Sequence, residues 1–157
     1  MSYKKFNLVT ITPTLSTSEV GTGKILFNPT KVPNACPRNG ASIIRSIHVL
    51  DLQHEENHLH LIFMKKGTSL GTPTLNPSIS DPDARAAGVL GIIQCSNTAI
   101  NFGDGSSFTQ ILDTGLVVES DGDDNDEGAI YVAGLGGATQ TYSSADSLVI
   151  SIGFEVF

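Results

Sequence analysis

Residues 147–157 read SLVISIGFEVF. Leu148, Ile150, Ile152, Phe154 and Val156 fall on one side of a two-residue repeat, and Ser151, Gly153 and Glu155 fall on the other. That period belongs to an extended chain with one face turned to a core and the other toward water. The stretch predicts a half-buried strand, and a strand of this kind needs partners from the rest of the chain.

Candidates are present on its N-terminal side. Shorter or less regular runs of the same type are NLVTI (7–11), KILF (24–27), ASIIRSIHVLDL (41–52), HLHLIFM (58–64), VLGIIQCS (89–96), the segment from Thr109 to Glu119, and GAIYVAGL (128–135), giving about eight strands. Between them lie turn formers: Pro29, Pro33 and Pro37, Asn39-Gly40, the stretch from Gly67 to Pro77, Gly103-Asp104-Gly105, and an acidic loop from Asp121 to Glu127. Only DPDARAAG (81–88) reads as helical, with Asp81 as N-cap, Pro82 in the first turn and Gly88 as the stop. It predicts at most one short helix. No fixed-period repeat or linker divides the chain, so residues 1–157 are expected to form a single domain.

Composition agrees with an all-β fold. Charged residues make up 16% of the 157 positions, and there are 16 glycines. Globular domains usually carry roughly 25% charge, and helix-forming Lys, Glu and Gln are sparse here. About eight short strands in this length predict two antiparallel sheets face to face, a β-sandwich with jelly-roll-like topology.

The motif that resists this reading is HEENH, His54 to His58. On a helix, H-E-x-x-H puts two histidines on one face as zinc ligands, with the glutamate as general base for the bound water. Here the apolar run before it is rich in β-branched residues, and His58-Leu59-His60-Leu61-Ile62-Phe63 after it alternates. The motif therefore sits at a hairpin tip. Extended residues four apart lie roughly 13 Å from each other, too far for both to reach one zinc at about 2 Å. His60 is the last histidine in the chain, so no third histidine ligand follows it. A weaker possibility is that His58 and His60, on one strand face, meet a third ligand from a neighbouring strand.

The acidic loop poses a similar question. Asp121, Asp123 and Asn125 match the opening of an EF-hand loop, but the sixth position is Asp126 in place of glycine and the twelfth is Val132 in place of glutamate. The EF-hand match fails, and a solvated loop is expected in preference to a looser calcium site. No G-x-S-x-G elbow nominates a serine nucleophile, no helix follows GVLG or GLGG to receive a phosphate, and adjacent Glu55 and Glu56 point opposite ways along a strand. No catalytic, cofactor-binding or metal-binding residues are therefore assigned, no cofactor is expected, and the chain is not expected to be an enzyme.

Charge and hydropathy limit the partners. A net charge of -7 and a pI near 4.8 disfavour nucleic acid and anionic membrane surfaces. No apolar run reaches the roughly 18 residues of a membrane span, and MSYKKFNLVT lacks the apolar region of a secretory signal, so folding in a cytoplasm is expected. Cys36 and Cys95 allow one bridge, but a reducing compartment would leave both as thiols.

Three segments carry a resemblance: TPTLSTSEVGTGKILF (12–27), SISDPDARAAGVLGII (78–93) and AIYVAGLGGATQTYSSADSLVISIGF (129–154). They resemble small all-β virion proteins of tailed bacteriophages that decorate or cement the head. The likeness runs from about Thr12 to Phe154 in strand and turn phrasing, brings no active-site residues with it, and offers no counterpart to the HEENH hairpin. It implies a virion protein on the outer capsid surface, made in the host cytoplasm and bound to the major capsid protein as an oligomer. A homotrimer is the expected form. Beside that expectation, residues 1–9 are a candidate N-terminal arm, because Lys4 and Lys5 form a positive pair next to Phe6, Leu8 and Val9 on an acidic chain. Lys4, Lys5 and Phe6 are the candidate partner contacts. The competing readings are a carbohydrate-binding module, weakened by the absence of Trp and the presence of only Tyr3, Tyr131 and Tyr142, and a tail, fibre or baseplate part.

Overall fold

The computed structural model describes residues 4–53, 58–95, 99–122 and 127–157. The strands are β1 (Lys5–Ile11), β2 (Ile25–Val32), β3 (Ala41–Asp51), β4 (Leu59–Met64), β5 (Val89–Gln94), β6 (Ala99–Gly103), β7 (Ser106–Glu119), β8 (Ile130–Gly136) and β9 (Leu148–Val156). A 3₁₀ turn (Pro73–Leu75) and helix α1 (Asp81–Ala87) lie between β4 and β5. One sheet has the order β1-β9-β3-β7-β6 and the other β2-β8-β4-β5. Every pairing is antiparallel.

The pairs β1–β9, β2–β8, β3–β7 and β4–β5 nest inside one another along the chain. Such a chain is a long hairpin rolled up so that its successive segments alternate between two sheets, which is the jelly roll. Rolling solves a burial problem. Most strands carry an apolar inward face, and alternating the sheets turns those faces toward one interior. That interior contains Ile44, Ile47 and Val49 of β3, Leu59, Leu61 and Phe63 of β4, Ile130 and Val132 of β8, and Leu148, Ile150, Ile152 and Phe154 of β9.

β9 follows its sequence pattern with two departures: Val156 is only half-buried, and Glu155 is buried although it points outward. The fold adds a ninth strand, β6, to the eight read from sequence, and β7 begins at Ser106, three residues before Thr109. The helix is where DPDARAA predicts it, but its N-cap is Ser80, whose Oγ accepts from the Asp83 backbone N–H at 3.2 Å. Gly88 closes it at φ 66. Residues 5–9, expected within an N-terminal arm, are in β1 and paired with β9 from Lys5↔Val156 onward.

The two sheets differ on their outer faces. The segment from Lys65 to Gly88 folds back over the four-stranded sheet and closes on itself through Lys65 N–H to the Gly88 carbonyl and Lys66 N–H to the Ala87 carbonyl. Asn28 of β2 pins it, donating to the Gly71 carbonyl at 2.7 Å and accepting from Leu70 N–H at 3.1 Å. Beneath it Ile25, Ile62, Met64, Leu70, Ala87 and Ala133 form a second, smaller core. β4 is therefore buried on both faces beyond His60, which its alternation did not foretell.

One glycine is required by close approach. At Gly134 in β8 the Phe27 ring lies where a Cβ would stand, so the ring packs directly on the backbone. Cys36 and Cys95 are both buried and carry no disulfide. Burial pushes the Cys95 thiol up to about 12 and raises Cys36 in the same direction.

Candidate functional site

The outer face of the five-stranded sheet has no such cover among the described residues. Strand register lays out its rows. Phe6, Glu155, Ile43 and Val117 stand side by side across β1, β9, β3 and β7, and Leu8, Gly153, Ser46 and Leu112 form the next row. A polar row follows, of Thr10, Ser151, His48 and Gln110. Thr10 and Ser151 share a 2.8 Å hydrogen bond, and His48 and Gln110 lie 3.4 Å apart. Beyond it come Val149, Leu50, Phe108 and Ile100, with Phe102 stacked on Phe108 at 5.9 Å between ring centres.

The apolar members of this face are in water. Phe6, Leu8, Ile100, Phe102, Leu112 and Val117 are each between 57% and 68% exposed. Single exposed apolar residues are ordinary, but an array of them on one sheet face marks a contact surface.

An ion cluster is set into the first row. Arg45 is the extra residue of a bulge in β3, at the register shift between Ile44 and Ser46, which lets its side chain reach across to Glu155. Its Nε donates to Glu155 Oε2 at 2.6 Å, and Lys4 Nζ reaches Oε1 at 2.6 Å from the other side. The carboxylate is 3% exposed, so without these cations it would be a buried unpaired charge. Hydrogen bonds from Lys4 and then Arg45 hold its carboxyl below the ordinary 4.5. β7 answers the bulge with its own, in which Asp113 (φ 55) and Gly115 (φ 66) turn left-handed and Thr114 Oγ1 donates to the Ile44 carbonyl at 2.5 Å. Between β1 and β3, where Gly153 offers no side chain, a groove of about 310 Å³ is lined by Phe6, Leu8, Arg45 and Ser46.

The structure divides the three candidate contact residues. Phe6 and Lys4 belong to this face, Lys4 through its bond to Glu155. Lys5 does not. It alternates onto the other side of β1, where with Asn7, Asn34, Cys36, Pro37 and Phe157 it lines an open groove of about 530 Å³. Sequence reading missed Arg45, Glu155, Leu112, Val117 and the β6 pair Ile100 and Phe102. The available signal was that these strands carry apolar residues at outward as well as inward positions.

Among the described residues the metal candidates do not assemble. His54 to Asn57 lie outside the described residues, but both flanks of the hairpin are described and neither is helical. Gln53 is held to Ser143, whose backbone N–H donates to its side chain at 2.8 Å. The His58 carbonyl accepts from Gly137 N–H at 2.8 Å and from Gln140 Nε2 at 3.0 Å. In a helix that carbonyl would accept from Ile62, which here is a strand residue. His60 stands on the half-covered outer face of β4, and its Nδ1 is buried with no hydrogen-bond partner. Asp123 to Asp126 also lie outside the described residues, while Asp121 pairs with Lys66 at 3.9 Å. Among the described residues no group of three or more His, Cys, Asp or Glu is placed to hold a metal ion. No described helix is long and apolar enough to cross a membrane.

No protein-family model matches the chain, and no curated protein matches it. Among solved structures it is similar to a chain from the X-ray structure of tomato aspermy virus, at 14% identity and a TM-score of 0.41, over 97% of this chain and 76% of that one. It is also similar to a chain from the structure of infectious bursal disease virus, Gx strain, at 11% identity and a TM-score of 0.25, over 98% of this chain and 37% of that one.

Proposed function

We propose that this chain is a structural protein of a virus particle, acting by surface contact and without catalysis. In finer terms it is a decoration protein on the outer head of a tailed bacteriophage, seated on the major capsid protein as a homotrimer. The observation that carries the contact reading is the asymmetry of the sandwich: the chain covers much of the outer face of one sheet with its own 65–88 segment, leaving Ile92 of β5 exposed there, and leaves the outer face of the other sheet apolar and exposed. Exposed apolar surface of this extent is costly in water and is relieved when a partner covers it. The phage assignment is supported by the resemblance of residues 12–27, 78–93 and 129–154, the last of which supplies β8 and most of β9, interior strands of the two sheets. Neither described tyrosine offers a sugar an exposed platform, since Tyr142 is buried and Tyr131 is half-buried beneath Gly67.

Co-sedimentation with empty heads of the phage that encodes the chain tests the proposal. The expected result is saturable pelleting with heads and none without them. Protein that stays in the supernatant at every head concentration, while binding a glycan array, overturns it.

A further inference from the structure

We infer that the exposed face of the five-stranded sheet is occupied by a second copy of this chain, with the β1 side of one copy lying on the β7 side of the next. The inference rests on the reading of this face as a contact surface and names its occupant.

Area is the first support. Six large apolar residues more than half exposed present on the order of 600 Å² between them, against roughly 800 Å² per partner in a standard interface. The half-buried Ile43, Leu50 and Phe108 between them make up part of the remainder. The face alone is thus close to the size that a stable self-association needs.

Charge selects the partner. At the β1 side, Lys4 and Arg45 surround one carboxylate, Glu155, and leave an excess of one positive charge. At the β7 side, residues 99–119 contain no Lys or Arg. Asp113 is exposed there, in the bulge that follows Leu112, and forms no ion pair among the described residues. A chain of net charge -7 repels its copies except where such a basic edge meets such an acidic one.

Geometry makes the pairing possible. β3 is the middle strand of the five, so β1 and β7 lie on opposite sides of it. Phe6 and Leu8 occupy the same rows as Val117 and Leu112. A copy rotated about an axis parallel to the strands and midway between β9 and β3 sets β1 over β7, with Phe6 and Leu8 over Val117 and Leu112 and Lys4 beside the β7 bulge that carries Asp113. Used reciprocally the contact makes a pair; used head to tail it closes a ring such as the trimer.

The test uses the full chain with Leu8→Glu and Leu112→Lys, each at an exposed position. Sedimentation equilibrium of the unaltered protein should show a dimer or trimer, and each variant should weaken self-association at least about tenfold. Mixing the two variants should restore it, because the β7 side of one and the β1 side of the other remain intact. Matching thermal melts at low concentration establish that both variants fold. A protein that is monomeric at high concentration overturns the inference, as does an oligomer that neither variant weakens or a mixture that stays apart. Head co-sedimentation run in parallel separates the two readings: a monomer that pellets with heads sinks the self-contact and leaves the decoration role standing.

Discussion

Tyr142 Oη donates a 2.7 Å hydrogen bond to Asp51 Oδ2, and neither residue is exposed to solvent. The bond ties the end of β3 to the connection between β8 and β9. Burial and the neighbouring carboxylate both push the tyrosine pKa upward, so the phenol stays a donor throughout the ordinary pH range. Tyr142→Phe keeps the ring packing and withdraws one donor from a buried carboxylate. The expected cost is about 1–3 kcal/mol in urea unfolding. An unchanged midpoint would mean that Asp51 is fully satisfied by its other contacts.

β9 offers a comparison between its two faces. Ile152 is fully buried, while Ser151 faces outward beside Thr10. Ile152→Asp places an unpaired charge in the core and should cost roughly 3–5 kcal/mol; Ser151→Asp should cost about 1 kcal/mol or less. Thermal melts below the association concentration measure both, and equal losses would contradict the assignment of faces.

How much of this was legible in the sequence is clearest along the same strand. The alternation from Leu148 to Phe154 announced its buried face, because that information is local. Glu155 is buried by Lys4 and Arg45, and Arg45 lies 110 positions away in the chain, so no pattern within the strand could reveal its burial. β6 escaped for another reason. It is a five-residue edge strand whose apolar residues point to solvent, and only the Ile100-Asn101-Phe102 alternation before the Gly103-Asp104-Gly105 turn hinted at a hairpin. The covering role of residues 65–88 was illegible because that segment buries scattered residues, Leu70, Ile79 and Ala87, with no regular period.

Acid should act through the Lys4–Glu155–Arg45 cluster. The carboxyl pKa is lower in the folded protein than in the unfolded chain, so the folded state holds its proton less tightly. The cluster's stabilisation is complete at neutral pH and is lost as pH falls through the folded value, below 4.5. Glu155→Gln should therefore lower the urea midpoint at pH 7, and the gap from the unaltered protein should narrow at pH 3. A gap that stays constant across that range would show that the loss came from packing.

Zinc should not bind the HEENH segment as it does in a metallopeptidase. The His58 carbonyl is taken by Gly137 and Gln140, and β4 begins at Leu59, so the helical turn that would align His54 with His58 does not continue through His58. Metal analysis of protein equilibrated with zinc is expected to find no stoichiometric ion dependent on these two histidines. Equimolar zinc lost on joint replacement of His54 and His58 by alanine would overturn this.

The buried thiol next to β5 makes the molecule its own stopwatch. Cys95 N–H is bonded to the Leu59 carbonyl, and a thiol with a pKa near 12 is almost wholly protonated at neutral pH, so in the closed sandwich it is both shielded and unreactive. A labelling reagent can reach it only when the edge of the four-stranded sheet comes away, and the reaction then traps that moment irreversibly. At saturating reagent the rate of adduct formation becomes the rate at which this edge opens. Cys36 serves as the contrast, because it lies beside Gly128 on the lining of the open groove that Lys5 and Asn7 share, and its labelling does not wait on an edge coming away. One native residue, Cys95, thus records by mass spectrometry alone how often that edge of the rolled hairpin comes undone.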